Sequence, residues 1–202
     1  MNTLVATALV AGVAALAITS QSRPMQAQNS ASGQPATAVF AGGCFWCVES
    51  DFDKVEGVLS TISGYTGGSV DNSSYRDVTG GTTGHYKPFE ITFNPNVVTY
   101  PELVEYFFRH VDPTDADSQF CDRGQSYATA IFAQNGAQAA TAAGIKAELD
   151  RLALPGPIVT PILDAAPFWP AEGYHQDYYQ KNPLRYNIYW SACGRDARVG
   201  EV

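Results

Sequence analysis

Basic residues are scarce in this chain of 202 residues: 12 lysines and arginines stand against 20 aspartates and glutamates, a net charge of −8, and nowhere do the basic ones cluster. Nucleic acid and anionic membrane surfaces are therefore disfavoured as partners, because both are held chiefly by runs of Lys and Arg. Cysteine is scarce too. Four occur, only Cys44 and Cys47 lie close together, and Cys121, Cys193, His85, His110 and His175 are scattered singly. A structural zinc site needs two more ligands at matching short spacing, so the Cys-x-x-Cys pair reads as nucleophilic or redox rather than metal-binding. No glycine-rich nucleotide fingerprint follows a strand, and neither a metal nor an organic cofactor is expected. No internal repeat is visible.

Long apolar runs are also missing. The longest, Leu4 to Ile18, has 15 residues, short of the ~20 that span a bilayer. Polar, low-complexity sequence follows it, with Arg23 and Pro24. Residues 1–27 read as a signal peptide, with an uncleaved membrane anchor as the alternative; no Lys or Arg precedes the run, which is unusual for such a signal. Residues 28–36 read as a disordered linker and 37–202 as one domain. With 45% apolar and 12% aromatic residues, that domain can bury a core without disulfide staples. An exported, periplasmic or otherwise extracytoplasmic chain meets oxidising surroundings. Its cysteines must then be recharged by an external donor, or some are structural.

What is present centres on Gly42-Gly43-Cys44-Phe45-Trp46-Cys47-Val48-Glu49. The apolar run Ala36 to Ala41 reads as a short buried strand, two glycines break it, and Phe45, Val48, Phe52 and Val55 then mark one helix face. Cys44 thus falls where a strand turns into a helix. Free backbone N–H groups and the positive end of the helix dipole favour a thiolate there, lowering the pKa from the ~8.5 of a free cysteine.

Downstream, Val58 to Tyr65 and Phe89 to Phe93 read as strands. Thr99 with Glu102 forms a capping box that opens a helix with Leu103, Tyr106, Phe107 and His110 on one face. Ala128 to Ala133 is a strand, Ala137 to Leu154 an Ala-rich helix behind Asn135, and Ile158 to Leu163 a last strand. The order β-α-β-β-α-β, with an added helix and strand, predicts an α+β two-layer sandwich with a split βαβ (ferredoxin-like) core, extended loops and an irregular C-terminal tail. Thr66 to Gly84 is a loop too long to be idle.

Seven ordered blocks then carry a resemblance: Gly-Cys-Phe-Trp at 43–46, Ser-Gly-Tyr-Thr-Gly-Gly at 63–68, Tyr-Arg-Asp-Val at 75–78, Thr-Gly-His at 83–85, His-Val-Asp-Pro-Thr at 110–114, Gln-Phe-Cys-Asp-Arg-Gly at 119–124 and Tyr-His-Gln-Asp-Tyr at 174–178. From about residue 37 to 198 the chain resembles the A-type peptide-methionine (S)-S-oxide reductases. The resemblance implies that Cys44 attacks the sulfoxide sulfur and becomes a sulfenic acid. Phe45 and Trp46 would take the substrate methyl group, while Tyr75 and Tyr127 hydrogen-bond the oxygen with Asp122 nearby. A thioredoxin-like dithiol would reopen the resulting disulfide. The family habit makes Cys193, in the tail, the favoured resolving cysteine. Cys47 is the alternative, and Cys121 is expected to be a buried structural thiol.

One position departs from the family pattern. Two residues after the histidine of Thr-Gly-His the family carries a glutamate that protonates the oxygen; here Lys87 stands there. Glu90 faces the other side of its strand, and Glu49 lies well round its helix from Cys44. Either Lys87 takes the role in altered form, or it points to solvent and the chain is a catalytically weakened sulfoxide-binding module. A thiol–disulfide oxidoreductase built on Cys44 and Cys47 is the rival from another class.

Overall fold

A computed structural model of the chain describes residues 33–152 and 154–200. The expected signal peptide and most of the expected linker lie outside the described residues. The elements are β1 (Ala36–Gly42), α1 (Phe45–Phe52), β2 (Val58–Tyr65), α2 (Tyr75–Thr79), β3 (Pro88–Phe93), α3 (Tyr100–Phe108), β4 (Ser118–Gln119), β5 (Asp122–Arg123), a 3-10 turn (Gln125–Tyr127), β6 (Thr129–Ala133), α4 (Gly136–Leu149), β7 (Ile162–Asp164), β8 (Trp169–Pro170), α5 (Tyr178–Lys181), α6 (Pro183–Ala192) and α7 (Arg195–Val199). The fold is α+β.

Strands line up as β7-β6-β1-β3-β2-β8, with β6 and β7 parallel and the other neighbours antiparallel. The central strand β1 is buried on both faces. Ala38 and Phe40 point into the main core with Val48 and Phe52 of α1 and Leu103 and Phe107 of α3, while Val39 and Ala41 meet Ala130, Phe132, Tyr86 and Phe168 on the other side. Strict alternation of side chains along a strand divides these two sets. The second face is thus covered by loop residues rather than by helices.

Local chemistry explains the boundaries. Thr99 and Glu102 close a reciprocal capping box with Pro101 in the first turn of α3, and Asn135 caps α4 through Gln138 N–H. α1 ends at Phe52, so Val55 lies past the helix that its spacing predicts. The predicted last strand shrinks to Ile162–Asp164. Two larger differences concern the loop and the tail. Thr66 to Gly84 contains α2, opened by a Ser74–Asp77 capping box, and the tail expected to be irregular is helical, as α5, α6 and α7. His85 organises the loop: its Nδ1 accepts from Gly68 N–H at 3.0 Å and its Nε2 donates to the Val70 carbonyl at 2.7 Å.

Candidate active site

Cys44 is the N-cap residue of α1, with extended backbone at φ −69° and ψ 110°. Its carbonyl accepts from the N–H groups of Cys47 and Val48 at 2.9 and 3.3 Å. Gly43 has φ +86°, and a Cβ there would lie 2.5 Å from Cβ of Gln119. Only glycine allows the strand to turn this sharply against the 119–124 segment. Burial opposes ionisation of Cys44, but hydrogen bonds from the Cys47 thiol and N–H, with the Tyr189 hydroxyl shared between Cys44 and Asp122, outweigh it and lower its pKa, even with the Asp122 carboxylate nearby. Cys47 is pushed up by its hydrogen bond to Cys44 and by burial. The helix start therefore separates one reactive thiol from one inert one.

Cys44 opens into a cavity of about 80 Å³ whose walls are Phe45, Trp46, Tyr75, Lys87, Asp122, Tyr127 and Tyr189. Every predicted site residue outside the resolving cysteines meets there. Trp46 stacks on Tyr178 at 3.7 Å and 9°, and its Nε1–H donates to His175 Nδ1 at 3.0 Å. That bond puts the His175 proton on Nε2, and burial holds the ring neutral, with a pKa down at about 4. Glu172 ties down the opposite wall: one oxygen accepts from Tyr75 N–H at 2.9 Å and the other from the Tyr65 hydroxyl at 2.8 Å. The apolar walls are thus fixed by hydrogen bonds behind them, as a rigid small-ligand pocket requires.

The floor is unusual. Lys87 is 1% exposed, so its side chain does not point to solvent. Its Nζ lies 3.5 Å from the centroid of the Tyr127 ring and 4.8 Å from that of Tyr75, with no hydrogen-bond acceptor among the described residues. Burial lowers its pKa to about 8, against the pull of Cys44 and Asp122. Burial pushes the Asp122 carboxyl up, opposed by the Tyr189 hydroxyl that donates to it and by Lys87.

Tyr189 is the wall residue that sequence reasoning missed. Tyr186, Tyr189 and Trp190 fall at i, i+3 and i+4, a helical stripe that could have marked α6. The cysteines need a correction as well. Cys121 is exposed, not a buried thiol, and it forms a disulfide with Cys193 across a Cα separation of 5.0 Å. Cys44 and Cys47 are free. Consecutive residues 121 and 122 therefore grip Cys193 and Tyr189, four residues apart, so Cys193 sits one helical turn beyond a pocket wall. α7 is anchored by Arg195 to Asp51 at 2.8 Å and by Arg198 to Asp112 at 2.7 Å.

The pocket's sequence blocks are shared with known proteins. A family model described as peptide methionine sulfoxide reductase matches residues 36–201. Peptide methionine sulfoxide reductase MsrA 2 of Rhizobium meliloti is 55% identical over 173 residues, 85% of this chain and 85% of that protein. Peptide methionine sulfoxide reductase MsrA/MsrB of Vibrio cholerae is 47% identical over 175 residues, 86% of this chain, which spans only 46% of that longer protein. The crystal structure of reduced Mxr1 from Saccharomyces cerevisiae superposes with a TM-score of 0.69 at 33% identity, over 75% of this chain and 87% of the yeast one. This chain belongs to the peptide methionine sulfoxide reductase family.

Proposed function

We propose that this protein reduces methionine S-sulfoxide, free or in proteins, to methionine. One observation carries the reading: a low-pKa thiol at a helix start opens into a small pocket with an apolar wall, Phe45 and Trp46, and two hydroxyl-bearing rings, Tyr75 and Tyr127. An S-methyl group fits the first and a sulfoxide oxygen the second. As the Cys44 thiolate attacks sulfur, negative charge builds on oxygen, and donors held there in advance lower the barrier. The thioether leaves as methionine and oxygen stays on Cys44 as a sulfenic acid.

Recycling follows from the cysteine layout. Cys193 condenses with the sulfenic acid, losing water and forming Cys44–Cys193. The Cys121 thiolate then displaces Cys44, leaving the Cys121–Cys193 disulfide on an exposed loop where a thioredoxin-like dithiol can open it. Mxr1, the yeast relative, has also been crystallised in complex with Trx2. Cys47, buried beneath Tyr178 and Tyr186, is the poorer resolving group. The same burial counts against the rival thiol–disulfide oxidoreductase, which needs an accessible Cys44–Cys47 pair.

The strand order β6-β1-β3-β2, all antiparallel, with α1 and α3 on one face supports a split βαβ core for the catalytic domain. The apolar run Leu4 to Ile18 supports export, with a signal peptide over residues 1–27. The test is a single turnover. Fully reduced protein is mixed with one equivalent of dabsyl-methionine (S)-sulfoxide and no reductant, and methionine formed and thiols lost are counted. One equivalent of methionine with two thiols lost, abolished by Cys44→Ser, is the expected result. Oxidation of a Cys44–Cys47 pair by a disulfide, with no methionine, would favour the oxidoreductase instead.

A further inference from the structure

Lys87 is a buried cation without an acceptor, and burying one unpaired is costly. Its ammonium lies among the groups that face it: Cys44 from the start of α1, Tyr75 from α2, Asp122 from β5, Tyr127 from the 3-10 turn and, farther off, neutral His175. Of these only Cys44 and Asp122 can carry negative charge, and neither accepts a hydrogen bond from Nζ. The missing acceptor belongs in the cavity itself. A sulfoxide oxygen bound between the Tyr75 and Tyr127 rings would supply it.

We infer that Lys87 is the general acid of the reaction, a cation standing where the family uses a carboxyl, and that it also holds Cys44 as a thiolate. The inference rests on the reductase reading above. In the step, the Cys44 sulfur donates an electron pair to the sulfoxide sulfur, and the Lys87 ammonium gives its proton to the sulfoxide oxygen. The S–O bond to the substrate then breaks as oxygen passes to Cys44. Thiolate, sulfoxide and ammonium thus become sulfenic acid, thioether and neutral amine, with no other reductant consumed. Solvent reprotonates the amine before the next turnover.

A cation suits this place for two reasons. An ammonium is already protonated when the thiolate is formed, whereas a carboxyl beside a thiolate must be kept neutral to donate. Opposite charge also favours the thiolate directly. The tyrosines are poor proton donors by comparison: burial pushes the Tyr127 hydroxyl upward, and its hydrogen bond with Tyr75 adds to that.

The test compares Lys87→Met, Lys87→Arg and Lys87→Glu in the full chain, with folding checked by circular dichroism. Two readouts are used: the single-turnover rate on the S-sulfoxide, and the pH dependence of Cys44 alkylation by iodoacetamide followed by peptide mass spectrometry. Lys87→Met removes a buried charge and is expected to melt no lower than wild type. Its single-turnover rate falls by about 10²-fold or more, the usual contribution of a general acid, and the Cys44 alkylation midpoint moves to higher pH. Lys87→Arg keeps the midpoint low but is slow, because a guanidinium does not release its proton. Wild type loses activity above pH 8 as the ammonium titrates, and Lys87→Met lacks that limb. A Lys87→Met protein with wild-type rate and midpoint, or a Lys87→Glu protein faster than wild type, would overturn the inference while leaving the reductase reading intact. No methionine from the wild-type protein would overturn both.

Discussion

Arg195 offers a quantitative test of how the C-terminal helices are held. It is 2% exposed, and its Nη2 lies 2.8 Å from the Asp51 carboxylate on α1 and also donates to the His110 carbonyl. Its guanidinium lies 4.8 Å from the Phe120 ring and 5.0 Å from the Trp190 ring. Replacing it with methionine keeps the apolar contacts but leaves Asp51 buried without its partner, which costs about 3–5 kcal/mol. For a domain of this size that is a fall in Tm of roughly 6–20 °C. The loss should be pH-dependent. Burial already raises the Asp51 pKa against the pull of Arg195, so a lone Asp51 in the variant binds a proton that the unfolded chain does not. Destabilisation is then greatest above neutrality and shrinks toward pH 4. The double variant Asp51→Leu/Arg195→Met removes both charges and should recover most of the loss, since an apolar pair often replaces a buried ion pair at little cost. Urea unfolding of the reduced protein, followed by circular dichroism, measures Arg195→Met, Asp51→Leu and the double variant. A double variant whose loss equals the sum of the two single losses would refute the pairing, as would a loss of under about 1 kcal/mol in Arg195→Met.

Glu49 is fully buried and burial raises its pKa to about 8. Because the folded state holds this proton after the unfolded chain has lost it, stability should fall as pH rises from about 4.5 to 8, and Glu49→Gln should flatten that slope in urea titrations at several pH values. Tyr127→Phe removes one donor from the oxygen site and should cut the single-turnover rate by about 10²-fold with little change in Tm, since one such donor is worth roughly 10²–10³ in rate. Cys121→Ser should leave the first equivalent of methionine intact but slow every later turnover driven by a thioredoxin-like dithiol, read from steady-state NADPH consumption in a coupled assay. If steady-state turnover were unchanged, Cys121 would have no part in recycling.

Local signals in the sequence carried most of the core. β1, β2 and β3 were readable from apolar runs and alternation, the start of α3 from Thr99 and Glu102, and the Cys44 turn from two glycines. These depend on residues close together in the chain. What failed depends on distant ones. α6 exposes Leu184 and Ile188 and buries only Tyr186 well, so these exposed aliphatics blur the short aromatic stripe of Tyr186, Tyr189 and Trp190 that alone marks a helix there. It is helical because Tyr186, Tyr189 and Trp190 pack on Cys47, Cys44 and Trp46, more than 130 residues earlier in the chain. Cys121 escapes a local reading for the same reason, since its partner is Cys193. Nothing beside it in the sequence marks Cys193 as its neighbour, and a helix between them had first to be placed. The side-chain ring around the cavity was readable only through the family resemblance, since Tyr75, Lys87 and Tyr127 come from three separate segments.

The pocket and the C-terminal helices are mechanically one unit. Tyr189 bonds Asp122 and Cys44, Cys193 one turn later bonds Cys121 beside Asp122, and Arg195 fixes the next turn to Asp51 on the helix that begins at Cys44. For Cys193 to reach the Cys44 sulfenic acid, its bond to Cys121 must be open and the Tyr189 contact must give way. On the proposed recycling α6 has to give way there, while Arg195 and Arg198 pair with Asp51 and Asp112. Reduction of an exposed disulfide thus returns Cys193, one helical turn beyond the pocket wall Tyr189, to the thiol that the proposed recycling requires.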